Sequence, residues 1–373
     1  MKYFDFASTT PLNDEVLKSY REILGRYFVN SESIYPSGVE VNELMNKSRR
    51  QAADLLGVLP NEIIFTSGAS EANNMAIKGV ALERKEQGRH IITTCIEHSS
   101  VLNSCRWLEK YEGFEVTYLP VNEEGKISVA ELEKAIRDDT VLVSVMWVNN
   151  ESGTIEPIEE VKKAVRKHPG CLLHVDCVQA LGKLPINLRE VDLASFSAHK
   201  IYGLKGCGIL MKRAQINLAP LISGGQQEFG IRGGTANSPA NILWGKTLRL
   251  ALTDLEKKRA RVQEYHDYVR HELEQLDNVV INSPQDALCY VLNVSCLSIP
   301  SEVMMNALSV KDYCVSAQST CDSRKQYSHV ISRMFSDRMR LEGTIRISFS
   351  ADQNWEEIKQ FVKEFKEIVV RYG

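Results

Sequence analysis

Ser195-Phe196-Ser197-Ala198-His199-Lys200 ends an apolar run that begins at Val191, and Gly203, Gly206 and Gly208 follow it closely. The run reads as a strand. A lysine at its end, among Ser, Ala, His and Gly, does not read like one from an ordinary solvated surface. From the end of a strand a long amine reaches into a cleft, where it can condense with a carbonyl. Taken alone, a turn lysine that merely follows a strand is the simpler account, so the neighbouring sequence has to separate the two.

Upstream, short apolar runs alternate with amphipathic stretches. Strands are expected at about 62–66, 91–94, 115–119, 141–148, 172–175 and 191–196. Helices are expected at about 14–24, capped by Asn13, and at 41–56, 101–111, 129–136 and 158–167. Residues 30–38 read as a polar, Ser-rich loop. Repeated strand–helix–strand units argue for a mostly parallel sheet with helices on both faces. Such sheets bind ligands beyond the carboxyl ends of their strands.

Thr66-Ser67-Gly68-Ala69-Ser70-Glu71-Ala72-Asn73 lies at one such end. Small residues leave a strand and enter a helix, Gly68 permits close backbone approach, and the free N–H groups of a first helical turn point outward. That is a phosphate cradle by helix-terminus physics, or else a plain strand-to-helix turn with a serine cap. No Gly-Lys-Ser/Thr follows, so it is not a Walker loop.

Four other strand ends carry His98; Asn149-Asn150-Glu151; His174-Val175-Asp176 with Gln179; and Ser197, His199 and Lys200. Singly, each has a structural reading: a loop histidine, a turn amide, a capping carboxylate. Jointly they place an imidazole, an amide, a carboxylate and an amine at one edge of one sheet. A carboxylate beside a pyridine nitrogen keeps that nitrogen protonated, and a nearby histidine moves protons.

The whole chain bounds the possibilities. Its 373 residues suit two domains, and 43% hydrophobic with 25% charged residues is a globular profile. A net charge of −3 gives no electrostatic case for nucleic acid or an anionic membrane. The longest apolar run, 141–148, is too short to span a bilayer, and the N-terminus has no apolar segment of the secretory kind. Nine cysteines without a CxxC pair argue against a disulfide framework or a closed zinc site. Reduced thiols and a cytoplasmic location are expected, with no metal, no membrane and no direct nucleic-acid contact.

Asn149-Asn150-Glu151, His174-Val175-Asp176-Cys177-Val178-Gln179 and Ser195 to Gly203 resemble the cysteine desulfurases, fold-type I pyridoxal phosphate enzymes of the class V aminotransferase group. Tyr3-Phe4-Asp5-Phe6-Ala7-Ser8-Thr9-Thr10-Pro11 resembles that family's N-terminal segment, and Gly224-Gly225 through Arg232-Gly233-Gly234-Thr235 its glycine-rich loop. The likeness runs from about residue 3 to the last helix. It implies an α/β fold: a large domain (14–250) with a mostly parallel seven-stranded sheet sandwiched by helices, and a smaller α+β domain (1–13 and 251–373). It also implies roles. Lys200 would hold pyridoxal 5'-phosphate covalently, Asp176 would pair with its ring nitrogen, and Gln179 would bond its ring oxygen. His98 would stack on the ring and act as acid and base. Ala69, Ser70, Ser197 and His199 would hold the phosphate, and Thr235 would reach the phosphate of a neighbouring subunit in a homodimer. Asn150 and Arg346 would bind the substrate carboxylate. Cys207 and Cys177 are expected as small fillers.

Cys321, in Val315-Ser316-Ala317-Gln318-Ser319-Thr320-Cys321-Asp322-Ser323, stands where the family carries its cysteine loop. The resemblance makes it the thiolate that takes sulfur from L-cysteine, leaving L-alanine and a persulfide for a sulfur-acceptor protein of iron–sulfur assembly or tRNA thiolation. The polar 321–346 interval is more like the branch with a long cysteine loop. Three departures stand out: Gln318 replaces the usual glycine, Phe229 a common basic residue, and no glycine follows Arg346. A selenocysteine lyase or class V aminotransferase on the same scaffold would match the cofactor residues too, the latter without need of Cys321. A low-turnover sulfur-relay or docking protein is the third reading. Further along, one long charged helix is expected at about 242–276, strands at 290–294 and 344–349, and a last amphipathic helix at 355–372, without the scaffold-docking extension that some members carry.

Overall fold

The computed structural model describes residues 1–317 and 327–373. Strand β1 (Lys2–Tyr3) and helices α1 (Asp14–Arg26) and α2 (Pro36–Leu56) come first. Asn13 caps α1 as expected, its Oδ1 accepting from Glu15 and Val16 N–H. Helix α2 begins earlier than the apolar pattern suggested, because Pro36 at its first position has a preset φ and no N–H to lose. Gly57, with φ 66°, ends it.

The alternating region then follows: β2 (Ile63–Thr66), α3 (Ala69–Arg84), β3 (His90–Thr94), α4 (Ser99–Glu112), β4 (Glu115–Leu119), α5 (Val129–Ala135), β5 (Thr140–Met146), α6 (Ile158–Arg166), β6 (Leu172–Asp176), β7 (Leu193–Ser197) and β8 (Gly208–Lys212). They build one seven-stranded sheet of order β2-β8-β7-β6-β5-β3-β4. All neighbours are parallel except β8, which runs antiparallel to both β2 and β7. Strands β5, β6 and β7 are buried along their whole length, which is why they read as continuous apolar runs rather than alternating ones. The expected α/β architecture, with helices packed on the sheet, is therefore the one observed.

After the sheet come α7 (Ser238–Leu252) and α8 (Leu255–Glu274). These replace the single helix expected at 242–276. Thr253 turns to extended backbone, its hydroxyl donating to the Arg249 carbonyl, and Asp254 adopts φ 54°. Thr and Asp break the ladder here through side-chain and left-handed geometry, without the glycine or proline that would have announced it.

The remaining elements are β9 (Val279–Ile281), β10 (Val291–Cys296), α9 (Ser301–Val310), β11 (Tyr313–Cys314), α10 (Ile331–Met334), α11 (Arg338–Glu342), β12 (Thr344–Ser348) and α12 (Trp355–Tyr372). Strands β12-β10-β9 form an antiparallel sheet, and β1 pairs in parallel with β11. The N-terminal segment is thus sewn onto the C-terminal sheet. Ser348 N–H donates to the Phe4 carbonyl and Ala7 N–H to Ser348 Oγ. Phe4 is buried and stacks on Phe361 of α12, ring centres 4.2 Å apart. Phe4→Ala is expected to cost about 3–5 kcal/mol, read as a lowered denaturant midpoint; a midpoint within error of wild type would show that the segment is not anchored by this ring.

Candidate active site

A cavity of about 530 Å³ opens at the carboxyl ends of β2, β3, β5, β6 and β7. Two other parts of the chain close it: Ala7–Thr9 of the N-terminal segment and Arg346 of β12. Of the residues singled out from the sequence, Ala69, Ser70, His98, Asn150, Asp176, Gln179, Ser197, His199, Lys200 and Arg346 all line it. Thr235 does not. It lines a neighbouring cavity of about 140 Å³ that shares Ser67 and Gly206. Cys321 lies outside the described residues.

Lys200 ends a short 3-10 turn after β7, and its Nζ donates to the carbonyls of Ala7 and Ser8, each at 2.6 Å. Asp176 is the last residue of β6. Its Oδ1 accepts from Val178 N–H and its Oδ2 from Asn73 Nδ2 at 2.8 Å, so the carboxylate is fixed by donors alone. Asn73 also donates to Ser100 Oγ, which stands 2.8 Å from His98 Nδ1. Because that Nδ1 also accepts the Ser100 N–H, the neutral His98 ring carries its proton on Nε2.

Gly68 precedes α3 with φ 152° and ψ 176°, leaving the first N–H groups of the helix without intrahelical partners. A Cβ at Gly208 would stand 2.6 Å from the Gly68 Cα, so β8 can back this turn only as glycine. Arg232 pairs with Glu71, whose other oxygen accepts the Ser67 N–H, holding the turn from outside. Burial, reinforced by Lys200, Lys205 and Lys183, pushes the His199 imidazole down to about 4. At neutral pH it is an uncharged ring beside Thr9 Oγ1.

Arg346 is buried, and its guanidinium is already engaged: with the Asn150 carbonyl at 3.0 Å, Asp5 at 2.8 Å and Ser8 Oγ at 2.5 Å. Its Nε–H has no hydrogen-bond partner among the described residues. Asn149 makes the turn that presents Asn150, its Oδ1 accepting from Glu151 and Ser152 N–H. Beneath His98 the Glu97 carboxyl is fully enclosed, and burial holds it well above the usual carboxylate range.

The donor set fits pyridoxal phosphate: a carboxylate for a ring nitrogen, an amine for an aldehyde, and helix N–H groups with Ser197 and His199 for a phosphate. Sequence reading missed Asn73, Ser100, Glu97 and the roles of Asp5 and Ser8. Asn73 carried a usable signal, one turn into the helix that begins at the cradle. Asp5 and Ser8 carried none, since their partner is more than three hundred residues away.

Comparison with known proteins gives a consistent result. The aminotransferase class-V family matches residues 2–361. The chain is 40% identical to a cysteine desulfurase IscS of Dictyoglomus turgidum, covering 98% of this chain and 94% of that one. It is 38% identical to a cysteine desulfurase IscS of Methanosarcina thermophila, covering 98% and 91%. A solved structure described as a NifS-like protein superposes with a TM-score of 0.94 at 38% identity, covering both chains completely.

Proposed function

We propose, from the premise that this chain belongs to the class-V aminotransferase family and is a cysteine desulfurase, that the 530 Å³ cavity seats pyridoxal phosphate and that Lys200, His98 and Cys321 carry out the reaction. The convergence of Lys200, Asp176, His98 and the 68–71 turn on one cavity is the observation that supports this reading most directly.

When bound, the cofactor supplies an electron sink conjugated to the substrate α-carbon. Asp176, held by Asn73 and Val178, would keep the ring nitrogen protonated. Lys200 would hold the cofactor covalently in the resting enzyme. Freed from it, the amine stays beside the Ala7 and Ser8 carbonyls, placed to move the α-proton. His98, with its proton on Nε2, would serve as the second proton carrier. Arg346 would draw the substrate carboxylate to the Asn150 side of the cavity, its direction fixed by Asp5. The Cys321 thiolate then takes the substrate sulfur. The substrate Cβ–S bond breaks, an S–S bond forms on Cys321, and Cβ takes up a proton to give alanine. The persulfide would pass to a sulfur-acceptor protein, an iron–sulfur scaffold or a tRNA-thiolating enzyme.

A homodimer is part of the proposal. Thr235 lies outside the chain's own cavity, and Phe28 and Ile34, 79% and 96% exposed between α1 and α2, are apolar surface that a second copy would cover. The test is L-cysteine with the cofactor-loaded protein under reductant, after sedimentation as a dimer. Alanine and sulfide in equal amounts are expected. Transfer of the amino group to an added α-keto acid, without sulfide, would overturn the reading in favour of aminotransfer.

A further inference from the structure

Behind Lys200 lies a second cavity, of about 240 Å³, that shares that lysine with the first. Lys183 lines it, on the turn after β6 and directly after Gly182 with φ 70°. Its residue surface is only 6% exposed. The amine donates to Gln179 Oε1 and, among the described residues, has no carboxylate partner. The charged and titratable side chains sharing its cavity are Lys200, Tyr202, Asp254, Lys258, Tyr290 and Asp352. Arg346 of β12 lies near enough to act on it as a like charge. Burial, with Lys200 and Arg346 adding like charge, pushes the Lys183 amine down to about 7.

A cation enclosed in this way is costly, and an apolar side chain of the same length would fill the volume without that cost. What an apolar chain cannot do is donate to Gln179. The Gln179 carboxamide is gripped at both ends, Oε1 by Lys183 and one Nε2–H by the Ala7 carbonyl at 3.0 Å. This sets which end of the amide is oxygen, and it leaves the second Nε2–H of a cavity-lining side chain for a bound group. Without the amine, Oε1 is a buried acceptor lacking its donor, and the amide is drawn away to find one.

We propose that Lys183 is a positioning residue that holds Gln179 with an N–H toward the cofactor's ring oxygen. The proposal rests on the reading that the main cavity binds pyridoxal phosphate. A donor at the ring oxygen disfavours a proton on the cofactor's linkage to Lys200. Losing it raises the pH at which the visible cofactor band titrates.

The experiment is a pH titration of that band in the resting holoenzyme, which reads no turnover. Lys183→Met is expected to raise the midpoint by about half a unit or more relative to wild type. Lys183→Gln, which keeps a donor for Oε1, is expected to bring it back most of the way. Should the methionine variant not fold, Lys183→Ala is titrated in its place, with the same rise expected. A midpoint in the methionine or alanine variant within 0.2 units of wild type, a resolution set by the titration itself and roughly 0.3 kcal/mol, overturns the proposal alone. A wild-type protein that takes up no cofactor and shows no band overturns the cofactor reading, and this proposal with it.

Discussion

Lys200→Ala is expected to lower alanine release from L-cysteine by about a thousandfold or more, with the protein still folded and still able to take up cofactor. Two losses coincide. The covalent hold on the cofactor disappears, and so does the amine that would move the substrate α-proton; positioned acid–base groups alone contribute on the order of 10²–10⁴ in rate. Lys200→Arg separates this chemistry from structure. It keeps a cation for the Ala7 and Ser8 carbonyls, which the wild-type amine contacts at 2.6 Å each, but a guanidinium does not condense with an aldehyde. Both variants should therefore lose turnover alike, and the visible band of each should shift from that of wild type. Arginine with wild-type turnover would remove Lys200 from its assigned role.

Cys321→Ser is expected to reduce alanine release by on the order of 10³-fold, with the resting cofactor band unchanged. Serine keeps the size and polarity of the side chain. Its hydroxyl is far less acidic than a thiol and makes no persulfide, so the substrate sulfur has no acceptor. Alkylation after a single turnover should trap one persulfide per wild-type subunit and none in the variant. Equal alanine from both proteins would mean a lyase route in which the sulfur leaves without Cys321.

The parts of the site that were legible in the sequence are those built locally. Lys200, Asp176 and His98 each end or follow a strand whose apolar run is visible by itself, and the 66–73 stretch announces both the end of β2 and the start of α3. The parallel sheet followed from the same alternation. What stayed hidden depends on distant pairing. Asp5 and Ser8 matter because they meet Arg346, and nothing near residue 5 signals a guanidinium. Lys183 draws no reading from the sequence; its place is seen only with Gln179 and the cavity behind it. The break at Thr253 and Asp254 was illegible for a different reason: the charged, periodic pattern continues through it, and only the extended backbone of Thr253 and the left-handed backbone of Asp254 separate the two helices.

The N-terminal segment that closes the cavity has a temporal meaning as well. Asp5 meets a residue 341 positions later, and Lys2 and Tyr3 pair with Tyr313 and Cys314. During synthesis the large sheet can form while these early residues still lack their partners at 313–346. Contacts of such long sequence separation pay their loop-closure entropy last. The Ala7 and Ser8 carbonyls that meet Lys200 belong to a stretch tied to the large-sheet region through Gln179, His199 and Tyr202, whereas Asp5 meets Arg346 only once the last strand has been made. An incomplete chain ending before β12 would carry the Lys200 side of the cavity without its Arg346 side, so holding a substrate carboxylate becomes a report on completed folding while the strand ends report on the sheet alone.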